Sequence, residues 1–388
     1  MTAMPLTELG RRVLANVDAD RGDYAPGLLT VPVEQYRDPA LFEREVEVVF
    51  RRNPIMVALS ADIPAAGDFT TLDIADRPIL VMRGDDGVVR TFLNACRHRG
   101  AAVSSECFGH GRRLTCPYHN WVYDTQGTLV GLPGREAFDE LDVTGLIEFP
   151  TAERAGAIFA ILTAGAAMDI DAWLGDMVSA LEMLQLDKLY RHDVETKLPS
   201  GNWKATADGY LDGYHLGYLH RNTIGAKSIT NRNTYDLYGP HVRIGFANKP
   251  ILTQRDLPVE EWDMYAAFSL VHFVFPNISI SGQPTASLMV SRMFPGPTAR
   301  ECTVVQYQYF REPLVTDEAL REAEAKRQRY ADVTMDEDFV TVMGIGRRFD
   351  ALATAGDVFR FGRNEVGNQN LHHWVASLLA ESEADATG

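Results

Sequence analysis

In Asn94-Ala95-Cys96-Arg97-His98-Arg99-Gly100 a cysteine and a histidine stand two residues apart, and in Cys116-Pro117-Tyr118-His119-Asn120-Trp121 they stand three apart. Seventeen residues separate His98 from Cys116. Each stretch offers one thiolate and one imidazole at a spacing that a single loop can deliver. Two Cys and two His bind zinc as well as an iron–sulfur cluster, so ligand type alone leaves both open. Zinc sites of this composition pair like with like, as Cys-x2-4-Cys and His-x3-5-His. Here each loop mixes the two. A [2Fe–2S] centre with two Cys on one iron and two His on the other uses that mixture.

With their flanking residues, the two stretches closely resemble the cluster loops of the Rieske non-haem iron oxygenases. The resemblance assigns Cys96, His98, Cys116 and His119 to a [2Fe–2S] cluster. Two His in place of two thiolates remove negative charge and raise the reduction potential, which suits a store for single electrons.

Composition narrows the setting. A chain of 388 residues with 46% hydrophobic content can bury a large core and suggests two domains. Lys plus Arg is 37 against 53 Asp plus Glu, a net charge of -16 that opposes nonspecific nucleic-acid binding. Of four Cys, Cys107 and Cys302 remain outside the cluster and read as plain thiols. So few cysteines agree with a reducing cytosol. Met1 to Glu8 carries no basic stretch leading into an apolar run, so no signal peptide is expected. The longest apolar run, Gly156 to Met168, is too short to span a bilayer. A cytoplasmic protein with neither membrane nor nucleic acid as partner is the expectation.

Three segments are expected: an arm over 1–37 with a little helix near Leu6 to Val17, a small all-β domain over 38–155, and a larger domain over 156–388. Asp38-Pro39 has a capping residue and a first-turn proline, and Phe42, Val46, Val49 and Phe50 repeat at helical spacing. Phe69 to Ile74, Pro78 to Met82 and Val88 to Leu93 read as strands, with Gly84-Asp85-Asp86-Gly87 as a turn. Trp121 to Tyr123 and Thr128 to Val130 flank a second turn at Asp124 to Gly127. Asp169 to Leu186 reads as one helix with Trp173, Met177, Leu181 and Leu184 on its core face. His241 to Ala247, Ser269 to Phe275, Asn277 to Ser281, Ala286 to Met293 and Cys302 to Phe310 read as strands, followed by helices from about Thr316 to Tyr330 and from Met335 toward Asp350.

Asn202-Trp203-Lys204 followed by Asp212-Gly213-Tyr214-His215 and His220 resembles a second signature of the same family. Read as a helix, this stretch puts Asp208, Asp212 and His215 on one face, with His220 about 140° further round. A regular helix cannot aim both imidazoles at one atom, so the helix must end or bulge, and Gly217 is the expected place. Two His need a carboxylate to complete a facial triad for Fe(II). By the resemblance it comes from Asp336-Glu337-Asp338-Phe339, with Asp338 preferred and Asp336 as the alternative.

The resemblance spans roughly residues 35 to 375 and implies the terminal oxygenase (α) subunit of such an enzyme. It further implies an α+β fold, with a small all-β Rieske domain and a catalytic domain of helices on an antiparallel sheet, similar to a helix-grip. Electrons reach the cluster from a reductase or ferredoxin, ultimately from NAD(P)H, and pass to Fe(II). There O2 is activated to hydroxylate a compact organic molecule, aromatic or alicyclic. Ring dihydroxylation, monohydroxylation and oxidative demethylation use the same metal set. A ring-shaped trimer is implied, alone or with β subunits, in which Asp212 is shared between His215 and His119 of the partner subunit. Gly209, Leu216, His272, Phe275, Asn277 and Phe339 are candidate pocket residues. His372 and His373 read as structural; His110, His192 and His241 read as surface residues. A Rieske electron carrier would need the first motif alone and would leave Asp212, His215 and His220 without a role. A zinc-stabilised binding protein would be colourless.

Overall fold

The computed structural model describes residues 5–142, 144–192 and 194–387, with side chains described through residue 384. The first four residues of the expected arm lie outside the described residues. Contacts divide the chain into two units: Phe50–Trp173 with Gln185–Lys188, and Met1–Val49 with Leu174–Leu184 and Leu189–Gly388.

The smaller unit is built from short antiparallel strands. Glu148–Phe149, Val89–Leu93, Arg77–Arg83, Asp68–Ile74 and Phe108–His110 lie side by side in that order. Thr151–Arg154, Ala157–Ala160 and Ile55–Leu59 form a three-stranded sheet, and Arg113–Thr115, Val122–Asp124 and Leu129–Gly131 form another. Both expected turns are present. At Asp124 to Gly127 the Asp124 carboxylate accepts the N–H groups of Gln126 and Thr128 at 2.9 Å, a side chain standing in for backbone turn bonds. Residues of the first and last of these sheets meet in one core, and Cys96 and Cys116 are part of it beside Phe92, Trp121 and Tyr123.

In the larger unit the sheet runs Tyr190–Arg191, Cys302–Phe310, Ser287–Pro295, Ile278–Gln283, Phe268–Val274, His241–Ala247, Thr234–Tyr238, with Thr196–Ser200 also paired to Cys302–Phe310. Every pairing is antiparallel. The helices Leu6–Asp18 and Trp203–Leu211 touch strands of this sheet. Helix Asp317–Val333 continues through a π-turn at Thr334–Phe339 into Val340–Gly346. The fold is α+β, as the sequence implied.

Two helices differ from expectation. Asp169 to Leu186 is not one helix but two short ones, Ile170–Leu174 and Met177–Glu182. Gly175 between them has φ 49°, in the left-handed region that glycine enters without a Cβ clash. Trp203–Leu211 starts as its sequence demands, with Asn202 accepting the N–H of Lys204 at 2.8 Å, but stops before Asp212 instead of carrying Asp208, Asp212 and His215 on one face. The break comes earlier than Gly217. A Cβ on Gly213 would fall 2.0 Å from Asn233 Nδ2 and 2.9 Å from Phe246 Cε1, so the path taken there leaves little room for a side chain.

Three histidines expected at the surface find partners. His241 is buried and its Nδ1 accepts Phe275 N–H at 3.1 Å. His192 is buried with Nε2 at ion-pair distance, 3.5 Å, from Glu324 and no hydrogen bond formed between them. His110 is exposed but bonds Asp68 at 2.8 Å. In each case the partner is remote in sequence.

Helix Pro39–Glu45, capped by Asp38, joins the larger unit through a buried charge pair. Glu45 and Lys204 are 1% and 2% exposed and contact each other, while Trp203 Nε1 donates to Glu45 at 2.8 Å and Lys204 Nζ donates to the Gln35 carbonyl at 2.7 Å. Removing one member strands the other charge in the core. Lys204→Met is expected to cost about 3–5 kcal/mol, and Lys204→Met with Glu45→Leu much less than Lys204→Met alone. Denaturant titration of the set checks this.

Candidate active site

The cluster loops are both tight turns closed on their own cysteines. Gly100 N–H donates to the Cys96 carbonyl at 2.8 Å and Asn120 N–H to the Cys116 carbonyl at 3.1 Å. Gly100 and Asn120 take φ 76° and 56°, which glycine and asparagine tolerate best. Asn94 pins the first loop by accepting Val103 N–H at 2.9 Å and donating to the Ser104 carbonyl at 2.8 Å. The thiols are buried and the imidazoles are half-buried. His98 Nδ1 and His119 Nδ1 face each other at 3.1 Å, and the His98 ring stacks on Trp121 with centroids 5.0 Å apart. Two nitrogens at that separation fit adjacent positions on one metal with bonds near ~2.1 Å. Burial raises the Cys96 thiol, and burial followed by the charges of His119 and Arg99 lowers His98, so the neutral imidazole that a metal takes is favoured.

A residue not singled out in the sequence also touches this site. Tyr123 Oη lies 3.3 Å from Cys96 Sγ and accepts Arg97 N–H at 3.0 Å. Burial, then the Cys96 contact, hold the phenol protonated and able to donate to sulfur. The sequence showed Tyr123 only as part of a strand.

The second group forms on the chain after Leu211. Ligand atoms of His215, His220 and Asp338 lie within 4.8 Å of one another. Asp338 Oδ1 is 3.0 Å from His220 Nε2 and 3.6 Å from His215 Nε2. His215–Gly217 is a single 3-10 turn, and the irregular chain on either side lets the two rings converge, with centroids 4.9 Å apart. Each outer nitrogen has a carboxylate. His215 Nδ1 lies 3.0 Å from Asp212 Oδ2, while Asp212 Oδ1 accepts Tyr214 N–H. His220 Nδ1 bonds Glu337 Oε2, which also accepts Thr223 Oγ1–H at 2.8 Å. Successive residues on an α-helix point about 100° apart. In the wider π-turn, Glu337 and Asp338 bracket the two nitrogens of one ring. Asp338 is thus the carboxylate that meets both histidines; Asp336 is not in this group. Glu337 was visible in the sequence as half of an acidic pair, but nothing there tied it to His220. Burial opposes a charge on His220, while Asp338 and then Glu337 favour it, and the net direction is upward.

A cavity of about 210 Å³ opens beside the group, lined in part by Asp208, Gly209, Tyr210, His215, Asp338 and Phe339. Of the six pocket candidates Gly209 and Phe339 line it. Leu216, His272, Phe275 and Asn277 do not, and the last three are buried in or next to the sheet. Burial followed by the charge of Arg243 lowers His272 to about 3, so it stays neutral. A Cβ on Gly209 would meet nothing within 4 Å, which leaves that wall open. Asp208 turns from the histidines toward His372, with Nε2 to Oδ1 at 3.1 Å.

Residues 186–381 match the family described as Ring hydroxylating alpha subunit (catalytic domain), and residues 53–150 match the Rieske [2Fe-2S] domain. The chain belongs to this family of Rieske oxygenase α subunits. It is 30% identical to the 2-aminobenzenesulfonate 2,3-dioxygenase subunit alpha of Alcaligenes sp over 291 residues, 70% of this chain and 72% of that one. It is 28% identical to the carnitine monooxygenase oxygenase subunit of Escherichia coli (strain K12) over 371 residues, 91% and 94% of the two chains. The chain spans about half the length of other curated relatives it matches, 41% to 49%. A quaternary ammonium Rieske monooxygenase in complex with L-carnitine shares the fold at TM-score 0.77 and 21% identity, over 92% of this chain and 96% of that one. The family combines a [2Fe–2S] cluster in its Rieske domain with mononuclear iron in its catalytic domain. Among the described residues, no helix is long and apolar enough to cross a membrane.

Two outcomes follow from these contacts. A net hydrogen bond of about 0.5–1.5 kcal/mol to a cluster sulfur corresponds to about 20–65 mV for one electron. Tyr123→Phe is therefore expected to lower the midpoint potential by that amount in a spectroelectrochemical titration. Glu337→Gln is expected to weaken divalent-metal binding at the His215–His220–Asp338 group about 10–100-fold. Calorimetric titration of protein stripped of mononuclear iron checks it, with the visible cluster spectrum unchanged.

Proposed function

We propose that the chain is the terminal oxygenase of a multicomponent system, with Cys96, His98, Cys116 and His119 holding the cluster and His215, His220 and Asp338 holding Fe(II). The observation that carries this is the presence, in one chain, of a mixed thiol–imidazole loop pair and a separate two-histidine, one-carboxylate group with one open side on a cavity. When bound, the cluster supplies single electrons and the Fe(II) supplies open positions for O2. The protein's part is to hold and orient. Asp212 and Glu337 fix which nitrogen of each histidine is free to bind metal. Phe339, Val342, Ile345 and Leu219 give the cavity an apolar wall beside the group.

On this reading the cluster domain covers residues 38–155 and the iron domain 156–388, with the helix Pro39–Glu45 packed on the larger unit through Glu45 and Lys204. Electrons come from a reductase or ferredoxin fed by NAD(P)H, and the working form is a cytoplasmic homotrimer, alone or with β subunits. Within it, Asp212 links the two centres, with Oδ2 on His215 and the other oxygen on the partner subunit's His119. Tyr214 N–H uses one lone pair of Oδ1 and leaves another. The substrate is a compact organic molecule, and hydroxylation of an aromatic ring is the leading reaction. Oxidative demethylation of a small alkylated substrate is the second reading, favoured because the carnitine monooxygenase subunit aligns over 91% of this chain.

His215→Ala, His220→Ala and Asp338→Ala should each lose mononuclear iron and oxygenation while keeping the cluster absorbance. Asp212→Asn should load both centres and accept electrons from dithionite normally, but pass them on orders of magnitude more slowly when mixed rapidly with O2. Stoichiometric zinc without acid-labile sulfide in anaerobically purified protein would refute the cluster, and full transfer in a loaded trimeric Asp212→Asn variant would refute the bridge.

A further inference from the structure

A second cavity is linked to the one beside His215 and Asp338 by a contact between their lining side chains. The second, about 220 Å³, is lined in part by Arg44, Glu45, Lys204, His372 and Glu383. His372 lines the second cavity and Asp208 lines the first. The two touch: His372 Nε2 lies 3.1 Å from Asp208 Oδ1 and 3.3 Å from Oδ2. Tyr36 Oη donates to Asp208 Oδ2 at 3.1 Å and sits 3.0 Å from His372 Nε2. Asn368 Nδ2 donates to Asp208 Oδ1 at 3.2 Å. The side chains of His372 and Asp208 are 6% and 15% exposed.

We propose that His372 and Asp208 form a proton relay from the second cavity to the catalytic one. The inference rests on the oxygenase reading. Inserting one oxygen atom consumes O2, two electrons and two protons and releases water; dihydroxylating a ring takes up the same electrons and protons without releasing water. The electrons come from the reductase partner, and the protons come from solvent. Imidazole is the side chain suited to pass protons near neutral pH. His372, protonated at Nδ1 from water in the second cavity, releases its Nε2 proton to Asp208 Oδ1. The N–H electron pair stays on Nε2, and the carboxyl then yields the proton to the catalytic cavity. Solvent exchange returns the ring to its starting tautomer.

The surroundings fit these roles. Burial, then the charges of Asp208 and Glu45, push the Tyr36 phenol well above its ordinary value, so Tyr36 keeps its proton, donates a fixed hydrogen bond and takes no part in the transfer. Lys204 and Glu45 neutralise each other on the second cavity's wall, with Arg44 paired to Glu383. The first cavity is also lined by Asp212 and by Glu365, whose carboxyl is raised to about 7 by burial and then by the charges of Asp212 and Asp208. The catalytic side is acidic and the supply side is balanced, which favours a proton moving toward the iron ligands.

The test uses the reduced holoenzyme mixed with O2, first with no substrate, where O2, two electrons and two protons give hydrogen peroxide, then with L-carnitine or naphthalene. His372→Gln keeps an N–H donor for Asp208 but cannot pass a proton. It should retain iron and cluster, slow oxidation roughly 10²-fold, and show a larger solvent deuterium effect than wild type. Imidazole added to His372→Gly should restore the rate and leave wild type unchanged. In iron-free protein, histidine-selective nitrogen-15 spectra should show the His372 Nε2–H at low field, displaced by Asp208→Asn. Wild-type rates in His372→Gln, no rescue of His372→Gly, or no such resonance would each overturn the relay alone. A loaded wild-type enzyme that consumes no O2 in any of these mixtures would overturn the oxygenase reading as well.

Discussion

His215 and His220 converge on Asp338 because the helix that begins at Trp203 stops at Leu211. A continued helix would hold the two rings about 140° apart. Gly213 and Gly217 make the alternative path possible, since Cβ atoms there would fall 2.0 Å from Asn233 Nδ2 and Thr230 Oγ1. The irregular chain is then pressed against its neighbours, and the π-turn at Thr334–Phe339 brings two acids to one imidazole. Both departures from regular helix sit at the same group of side chains. Backbone irregularity held by surrounding structure is a common property of functional sites.

Each candidate centre is oriented by hydrogen bonds from residues that do not belong to the donor set. Asp212 and Glu337 serve the histidines of one, Tyr123 and Asn94 the loops of the other. The two centres differ in exposure. The thiols of the cluster loops are within a core and the imidazoles reach outward. Burial keeps water from the sulfurs, while the ring edges remain available for electron exchange. In the larger unit, the Glu45–Lys204 pair ties the helix at Pro39–Glu45 to the start of the helix that leads to the ligands.

The sequence by itself marked the two mixed Cys/His loops, the pair His215 and His220 and the order of most elements, and left the third donor between Asp338 and Asp336. Ligand identity is carried by Cys96, His98, Cys116 and His119, whose spacing within each loop is short. The same locality made the strands from Phe69 to Leu93, and from His241 to Phe310, legible through alternation and turn residues. It also showed that a regular helix could not carry both His215 and His220. The tertiary structure decided where the chain breaks, and which remote groups complete each site. Asn233 closes on Gly213 from a separate segment, and the split at Gly175 comes with a left-handed conformation that no period announces. Glu337 meets His220 and His372 meets Asp208 across more than a hundred residues of chain, through packing that local patterns do not encode. Short-range chemistry is written in spacing; contacts between distant segments exist only once the whole core has formed around them.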